Sequence, residues 1–231
     1  MATIINIETS SRVCSVALSK DGVIEYELED DKGMAHAERL APFVEKCIEE
    51  ANRKGFTIDA IAVSLGPGSY TGLRIGLSLA KGLAFSLNVP LIGLSTLKVL
   101  AVKAMFRNML WEGDETIICM VDARRMEVFA GAFDFALHEV EKEAPYILTE
   151  DTFCNMTEKR KVIFIGDGSE KFKPLYKGSN AEWLGNLYPH ARDMIALSEK
   201  YFREGTFIDT AYSVPNYLKE YQTTVPKNNM I

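Results

Sequence analysis

Histidine is scarce: His36, His138 and His190 are the only three in 231 residues. None stands in a recognisable motif, and no pair has metal-ligand spacing. A serine nucleophile would therefore lack an evident base. Cysteine is nearly as sparse. Cys14, Cys47, Cys119 and Cys154 form no CxxC pair, so neither a disulfide framework nor a zinc knuckle is indicated, and reduced core cysteines are expected. Positive charge is also short. The net charge is -6, and the only dense basic run is Lys159-Arg160-Lys161, which reads as a solvated loop. A chain that neutralises phosphates by itself shows a basic face; independent nucleic-acid binding is disfavoured, while a small basic patch assisting a partner stays open. Long uninterrupted apolar runs are missing too. The run after Gly72 contains Arg74, Lys81 and repeated glycines, which fits a buried helix better than a membrane span. Thr3-Ile4-Ile5-Asn6-Ile7 follows the start without a basic leader region, and a cytoplasmic protein is expected.

What is present is ordinary globular material, 47% hydrophobic and 25% charged. Thr3 to Glu8 is rich in β-branched residues. Val13 to Ser19 and Val23 to Glu29 alternate, and Asp21-Gly22 between them is a hairpin signal. A helix is expected from about Ala35 to Asn52, with Leu40, Phe43, Val44, Cys47, Ile48 and Ala51 in one stripe. Ile58 to Leu65 reads as a strand, Thr71 to Leu87 as a helix, Val89 to Leu94 as a short strand and Ser95 to Phe106 as a helix. The pattern then restarts. Glu115 to Asp122, Met126 to Phe135 and Ala144 to Leu148 read as strands, and Thr149 to Glu158 as a polar helix. Val162 to Ile165 reads as a strand, and Ala191 to Glu204 as the helix that completes this half. The order β-β-β-α-β-α occurs twice, with a break around 107–114 and no sequence repeat. Subdomains at 1–107 and 108–205 are expected, with a tail, 206–231, returning to the first.

The stretch SLGPGSYTGLRIGLSLAKGLAF, Ser64 to Phe85, invites a phosphate-loop reading, because glycines and hydroxyls open a helix. Gly66, Gly68 and Gly72 have the wrong spacing for a dinucleotide fingerprint, and no Gly-Lys-Ser/Thr follows. A tight strand-to-helix turn with Ser69 or Thr71 as N-cap explains the same residues. A nucleophile elbow is disfavoured, since Pro67 occupies the place of its first glycine. Gly72, Gly76, Ala80 and Ala84 form one small-residue face, which suits close approach by another helix. The apolar remainder is covered either by the chain's own core or by a partner.

Gly66-Pro67-Gly68-Ser69-Tyr70-Thr71-Gly72-Leu73-Arg74 resembles a motif of the bacterial TsaB/YeaZ family. So do Ile7-Glu8-Thr9-Ser10, His36-Ala37-Glu38-Arg39-Leu40-Ala41-Pro42, Val121-Asp122-Ala123-Arg124-Arg125-Met126-Glu127-Val128 and Pro215-Asn216-Tyr217-Leu218. That family is the non-catalytic, glycoprotease-like subunit of the machinery that places threonylcarbamoyl on adenosine beside the tRNA anticodon. The resemblance implies an α/β fold of two subdomains, similar to actin, Hsp70 and the sugar kinases (ribonuclease H-like). It implies binding and activation of a metal-dependent, TsaD-type catalytic subunit, with an ATPase subunit also in the complex. It implies a homodimer when alone, and tRNA contact only through the complex. The implied interface is His36, Leu40, Phe43 and Cys47 on one helix, with Thr71, Gly72, Ile75, Gly76, Leu79, Ala80 and Leu83 on the next.

The catalytic relative carries a His-x-x-x-His metal motif where this chain has Thr96 and Leu100, neither of which replaces imidazole. No catalytic residue, metal or cofactor is assigned to this chain; ATP or ADP and a metal belong to the complex or its catalytic subunit. The candidate nucleotide-contacting positions are Glu8, Ser10, Asp122, Gly166 and Gly168, with strand-end roles for Glu8 and Asp122 and a helix cap at Gly166-Asp167-Gly168 as the alternatives. The competing function is a small-molecule phosphotransferase of the same fold. A peptidase is the more distant third reading, and the missing histidines argue against it; the favoured reading makes the chain an inactive peptidase homologue.

Overall fold

The computed structural model describes residues 2–33, 36–107, 112–157 and 160–219. Ala35, Glu158 and Lys159, residues 108–111 of the expected break near 107–114 and the tail beyond 219 lie outside the described residues. The chain forms two five-stranded sheets of the same strand order. The first runs β3(Val23–Asp30), β2(Cys14–Lys20), β1(Thr3–Glu8), β4(Ala60–Gly66), β5(Leu91–Ser95). The second runs β10(Ala181–Gly185), β9(Val162–Gly166), β6(Thr116–Asp122), β7(Glu127–Phe133), β8(Glu139–Ile147). In both, the first three strands in chain order are antiparallel and the other two add in parallel. The duplication expected from element order is thus a duplication of topology.

Alternation along β1 decides the layering. Ile5 and Ile7 point to a core shared with α1(His36–Arg53) and α2(Tyr70–Leu87). Ile4 points the other way, to a core with α3(Thr96–Met105) and α6(Ile195–Glu204), through Val99, Val102 and Leu197. The opposite side of α3, with Leu97, Leu100, Ala101 and Ala104, packs on Ile117, Cys119 and Ile163 of the second sheet. α3 is therefore the shared wall between the lobes. Behind the second sheet, Phe153, Phe164, Phe172, Tyr176 and Trp183 form an aromatic cluster, with Phe164 and Trp183 stacked at 4.4 Å. The short helices α4(Cys154–Thr157) and α5(Ser169–Phe172) lie in this half.

Three expectations are corrected and one strand is added. The strand expected at Ala144 to Leu148 is longer, Glu139–Ile147, because it is an exposed edge whose polar residues hide its extent. The polar helix expected from Thr149 shrinks to Cys154–Thr157 after a series of turns. β10 carries no strong apolar alternation and escaped the sequence reading. The C-terminal helix, with its 3-10 entry Ala191–Met194, follows the second sheet in the chain but packs on the first. Ala191 N–H donates to Ser15 Oγ at 2.9 Å, and buried Lys103 pairs with Asp193 at 2.7 Å. Residues 206–217 continue along the first lobe. Ile208 N–H donates to Leu91 O at 2.9 Å, and Asn216 N–H to Leu65 O at 2.7 Å.

Candidate functional site

Two features can carry function: a cleft between the lobes and an open face on α1 and α2. The cleft has a volume of about 190 Å3 and is lined by Ser10, Ser11, Arg12, Ser69, Thr96, Leu100, Asp122, Asp167 and Tyr188, among others. That is below the roughly 300 to 1,000 Å3 of typical ligand pockets. Of the candidate nucleotide positions, it brings together Ser10 and Asp122 only.

Glu8 lies behind the cleft, fully buried at the end of β1. Its Oε1 accepts from Ser10 N–H at 2.6 Å and from Ser64 Oγ at 2.9 Å. Glu8 Oε2, Thr9 Oγ1, Ser10 Oγ and Thr96 Oγ1 find no partner among the described residues. Burial raises the Glu8 carboxyl above its usual range, and the bonds from Ser10 and Ser64 only partly oppose this. The folded group thus holds its proton to higher pH than the unfolded one. Its stabilising share is complete below the unfolded value, near 4.5, and is lost as pH rises through the raised folded value. Glu8→Gln, which needs no proton, should remove this slope. Urea melts between about pH 4 and pH 8 should show the variant gaining on wild type as pH rises; parallel curves would count against a raised carboxyl.

Asp122 is fixed at the far lip. Its carboxylate accepts from Arg124 N–H and pairs with Lys171 at 3.1 Å, while its own N–H donates to Asp167 Oδ1 at 2.9 Å. Gly166 and Gly168 are packing residues. A Cβ on Gly166 would lie 2.1 Å from Met120 O, and one on Gly168 would lie 2.9 Å from Val128 Cγ1. The turn is closed onto β6 and offers no open cradle. The first loop is blocked in the same way, because a Cβ on Gly68 would lie 2.2 Å from Ser10 O, to which Ser69 N–H donates at 2.6 Å.

Ser69, rather than Thr71, is the N-cap of α2, its Oγ accepting from Gly72 N–H at 3.2 Å. The small-residue face of that helix turns inward. A Cβ on Gly72 would lie 2.1 Å from Thr9 O, one on Gly76 would lie 2.2 Å from Thr9 Oγ1, and Ala80 and Ala84 are buried. Of the candidate interface, Gly72, Gly76 and Ala80 are thus packed inside the chain, as are Leu40 and Cys47, which lie in the core. His36 is buried as well, with Nε2 unpartnered among the described residues. Phe43, Ile75, Leu79 and Leu83 are half-buried at the edge of that core, and Thr71 is exposed.

What remains open is a shallow groove of about 590 Å3 between α1 and α2. Ala41, Pro42, Val44, Glu45, Ile48 and Glu49 line one side; Leu79 and Leu83 line the other. The candidate interface missed Ala41, Pro42, Val44, Glu45, Ile48 and Glu49, of which only Val44 and Ile48 were read in the stripe of that helix. The signal is an exposed apolar pair, Ala41-Pro42, about two turns before a half-buried Ile48, on a helix otherwise polar outside.

Two sheets of order 3-2-1-4-5, wrapped around a cleft with a helix between them, define a protein of the actin and sugar-kinase fold class. The solved inorganic polyphosphate/ATP-glucomannokinase from Arthrobacter sp. strain KM shares this fold at TM-score 0.51 and 9% identity, over 88% of this chain and 100% of that one. The YeaZ structure from Pseudomonas aeruginosa is far more similar, at TM-score 0.81 and 28% identity, over 94% of this chain and all of that one. The tRNA threonylcarbamoyladenosine biosynthesis protein TsaB of Escherichia coli (strain K12) is 31% identical over 94% of both chains. The family model of TsaD, tRNA N6-adenosine threonylcarbamoyltransferase, matches residues 31–226. The chain belongs to the TsaB/YeaZ family.

Proposed function

We propose that this chain is the accessory subunit of a complex that transfers a threonylcarbamoyl group to adenosine next to the tRNA anticodon. It binds and activates a homologous, metal-dependent catalytic subunit of TsaD type. The observation that carries this reading is the open apolar groove of α1 and α2, in a chain whose α3 places Thr96 and Leu100 on the cleft wall. In the catalytic relatives these two positions, one helical turn apart, carry the metal-binding histidines. Among the described residues, no three His, Cys, Asp or Glu side chains come together as a metal site.

A groove of this kind is filled by a helix pair from a related chain. A second copy offers the same pair around a two-fold axis, which gives a homodimer; a homologous catalytic subunit offers a similar pair and displaces it. Docking then shifts the catalytic subunit towards its competent conformation by as much as the interface differs between its states. The ATPase subunit joins the same complex, and the nucleotide and metal are held there or by the catalytic subunit. The setting is the cytoplasm, and no helix among the described residues is long and apolar enough to cross a membrane. The phosphotransferase reading gains no support from a cleft of about 190 Å3 whose glycine turns are packed shut.

The test is reconstitution. The catalytic subunit is purified with and without this chain, and threonylcarbamoyl transfer to unmodified tRNA is measured. Co-elution as a heterodimer with transfer dependent on this chain is expected. Full transfer by the catalytic subunit alone would overturn the reading.

A further inference from the structure

The tail of an acidic chain packs on the start of α2, reaches the start of β7 and gathers basic and aromatic side chains there. Tyr217 packs on Tyr70 at a tilt of 37°, with ring centroids 5.1 Å apart. Arg74 lies over the Tyr70 ring at 3.9 Å and donates from Nε to Tyr217 Oη at 2.9 Å. Two residues on, Lys219 reaches the other lobe and pairs with Glu127 at the start of β7. Shortly before Glu127 is the turn that carries Arg124 and Arg125. The Lys219–Glu127 pair is therefore what ties the aromatic cluster at the start of α2 to the arginine turn before β7.

The charge balance of this patch differs from that of the whole molecule. Lys219 offsets Glu127, and Lys171 offsets Asp122. Arg124 and Arg125 are exposed and form no ion pair among the described residues. Both hold positive φ, +66° and +49°, where a turn would ordinarily carry Asn or Gly. Keeping two arginines there costs backbone energy, and an outlier of this kind motivates a role for the side chains. Tyr70 and Tyr217 are each about two-fifths exposed, at 39% and 40%.

We propose that this patch is a contact surface for single-stranded RNA. Arg124 and Arg125 neutralise backbone phosphates, and Tyr217, held by Tyr70 and Arg74, offers a face on which a base stacks. Guanidinium pairs beside exposed aromatic rings are the chemistry that recognises unpaired nucleotides. The proposal rests on the function proposed above, which supplies the RNA: the anticodon arm of the tRNA brought in by the complex. With a net charge of -6, the patch adds to the complex's affinity without giving this chain binding of its own.

The experiment uses the heterodimer with the catalytic subunit, and a fluorescein-labelled unmodified tRNA transcript as probe. Binding is followed by anisotropy over a salt series, for wild type, R124E/R125E and R124K/R125K. R124E/R125E should weaken binding by on the order of tenfold and flatten the slope of log K against log salt by about 1.5, as removal of two single-strand phosphate contacts requires. R124K/R125K should keep the slope. Equal affinity and slope in wild type and R124E/R125E would overturn the proposal. So would loss of heterodimer formation in R124E/R125E, since the patch would then serve the protein partner. A wild-type chain that neither co-elutes with the catalytic subunit nor supports transfer would instead remove the function proposed above, and the RNA contact with it.

Discussion

Gly76→Phe is expected to leave no soluble, folded protein. The residue lies on the inward face of α2, where a single added Cβ would already be 2.2 Å from Thr9 Oγ1 and 3.3 Å from Thr9 Cβ. Thr9 follows β1 directly, in a buried segment with Glu8 and Ser10 on either side. It cannot move without dragging the end of the central strand. Overpacking a core by a few methylenes costs about 1 to 3 kcal/mol; a benzyl group here exceeds that against a total stability of about 5 to 15 kcal/mol. Gly76→Ala should fold with a loss within the range of about 1 to 3 kcal/mol. Expression, circular dichroism and urea melts check both variants. A folded Gly76→Phe chain would mean that α2 does not sit on Thr9 as described.

Leu79→Glu combined with Leu83→Glu should act in the opposite way, leaving the chain folded and separating it from its partners. Both leucines are half-buried at the mouth of the groove facing Glu45 and Glu49 of α1. Two new carboxylates can stay hydrated in the monomer, but they would be desolvated beside like charges in a complex. Disrupting the centre of an interface in this way costs about 2 kcal/mol or more, a factor of roughly thirty or more in Kd. Circular dichroism should match wild type. Light scattering should show monomers, and co-elution with the catalytic subunit should fall away along with transfer. Retained association with itself and with the catalytic subunit would show that the groove docks nothing.

These two expectations separate faces of one helix that look alike in sequence. Gly72, Gly76, Ala80 and Ala84 show that one side of α2 admits a close neighbour. Local periodicity says nothing about whether that neighbour is another chain or the end of β1, sixty-seven positions before Gly76 in the case of Thr9. The candidate nucleotide positions met the same limit. Gly166 and Gly168 fit a phosphate turn by residue type, yet both are glycine because Met120 and Val128 crowd them. Pairing across a sheet creates that crowding. Ser10 and Asp122 do share the cleft, but only because α3 holds the lobes at that spacing.

Strand and helix positions were legible because they depend on near neighbours. Alternation in β2 and β3, the Asp21-Gly22 turn and the stripe of α1 are short-range patterns, and they recur where expected. The duplicated element order carried the fold class, because two β-β-β-α-β units have few compact solutions. β8 and β10 blurred because edge strands bury little and so keep no alternation. The sequence by itself determined which faces had to be buried, and the motifs that point to the TsaB/YeaZ family. Only the tertiary structure decided what buries them: α6 on the first sheet, the small face of α2 on Thr9, and the tail on the start of α2. The physical reason is that side-chain periodicity is a property of a few consecutive residues. A packing partner is chosen by the long-range pairing of strands, whose cost and reward are shared over the whole chain.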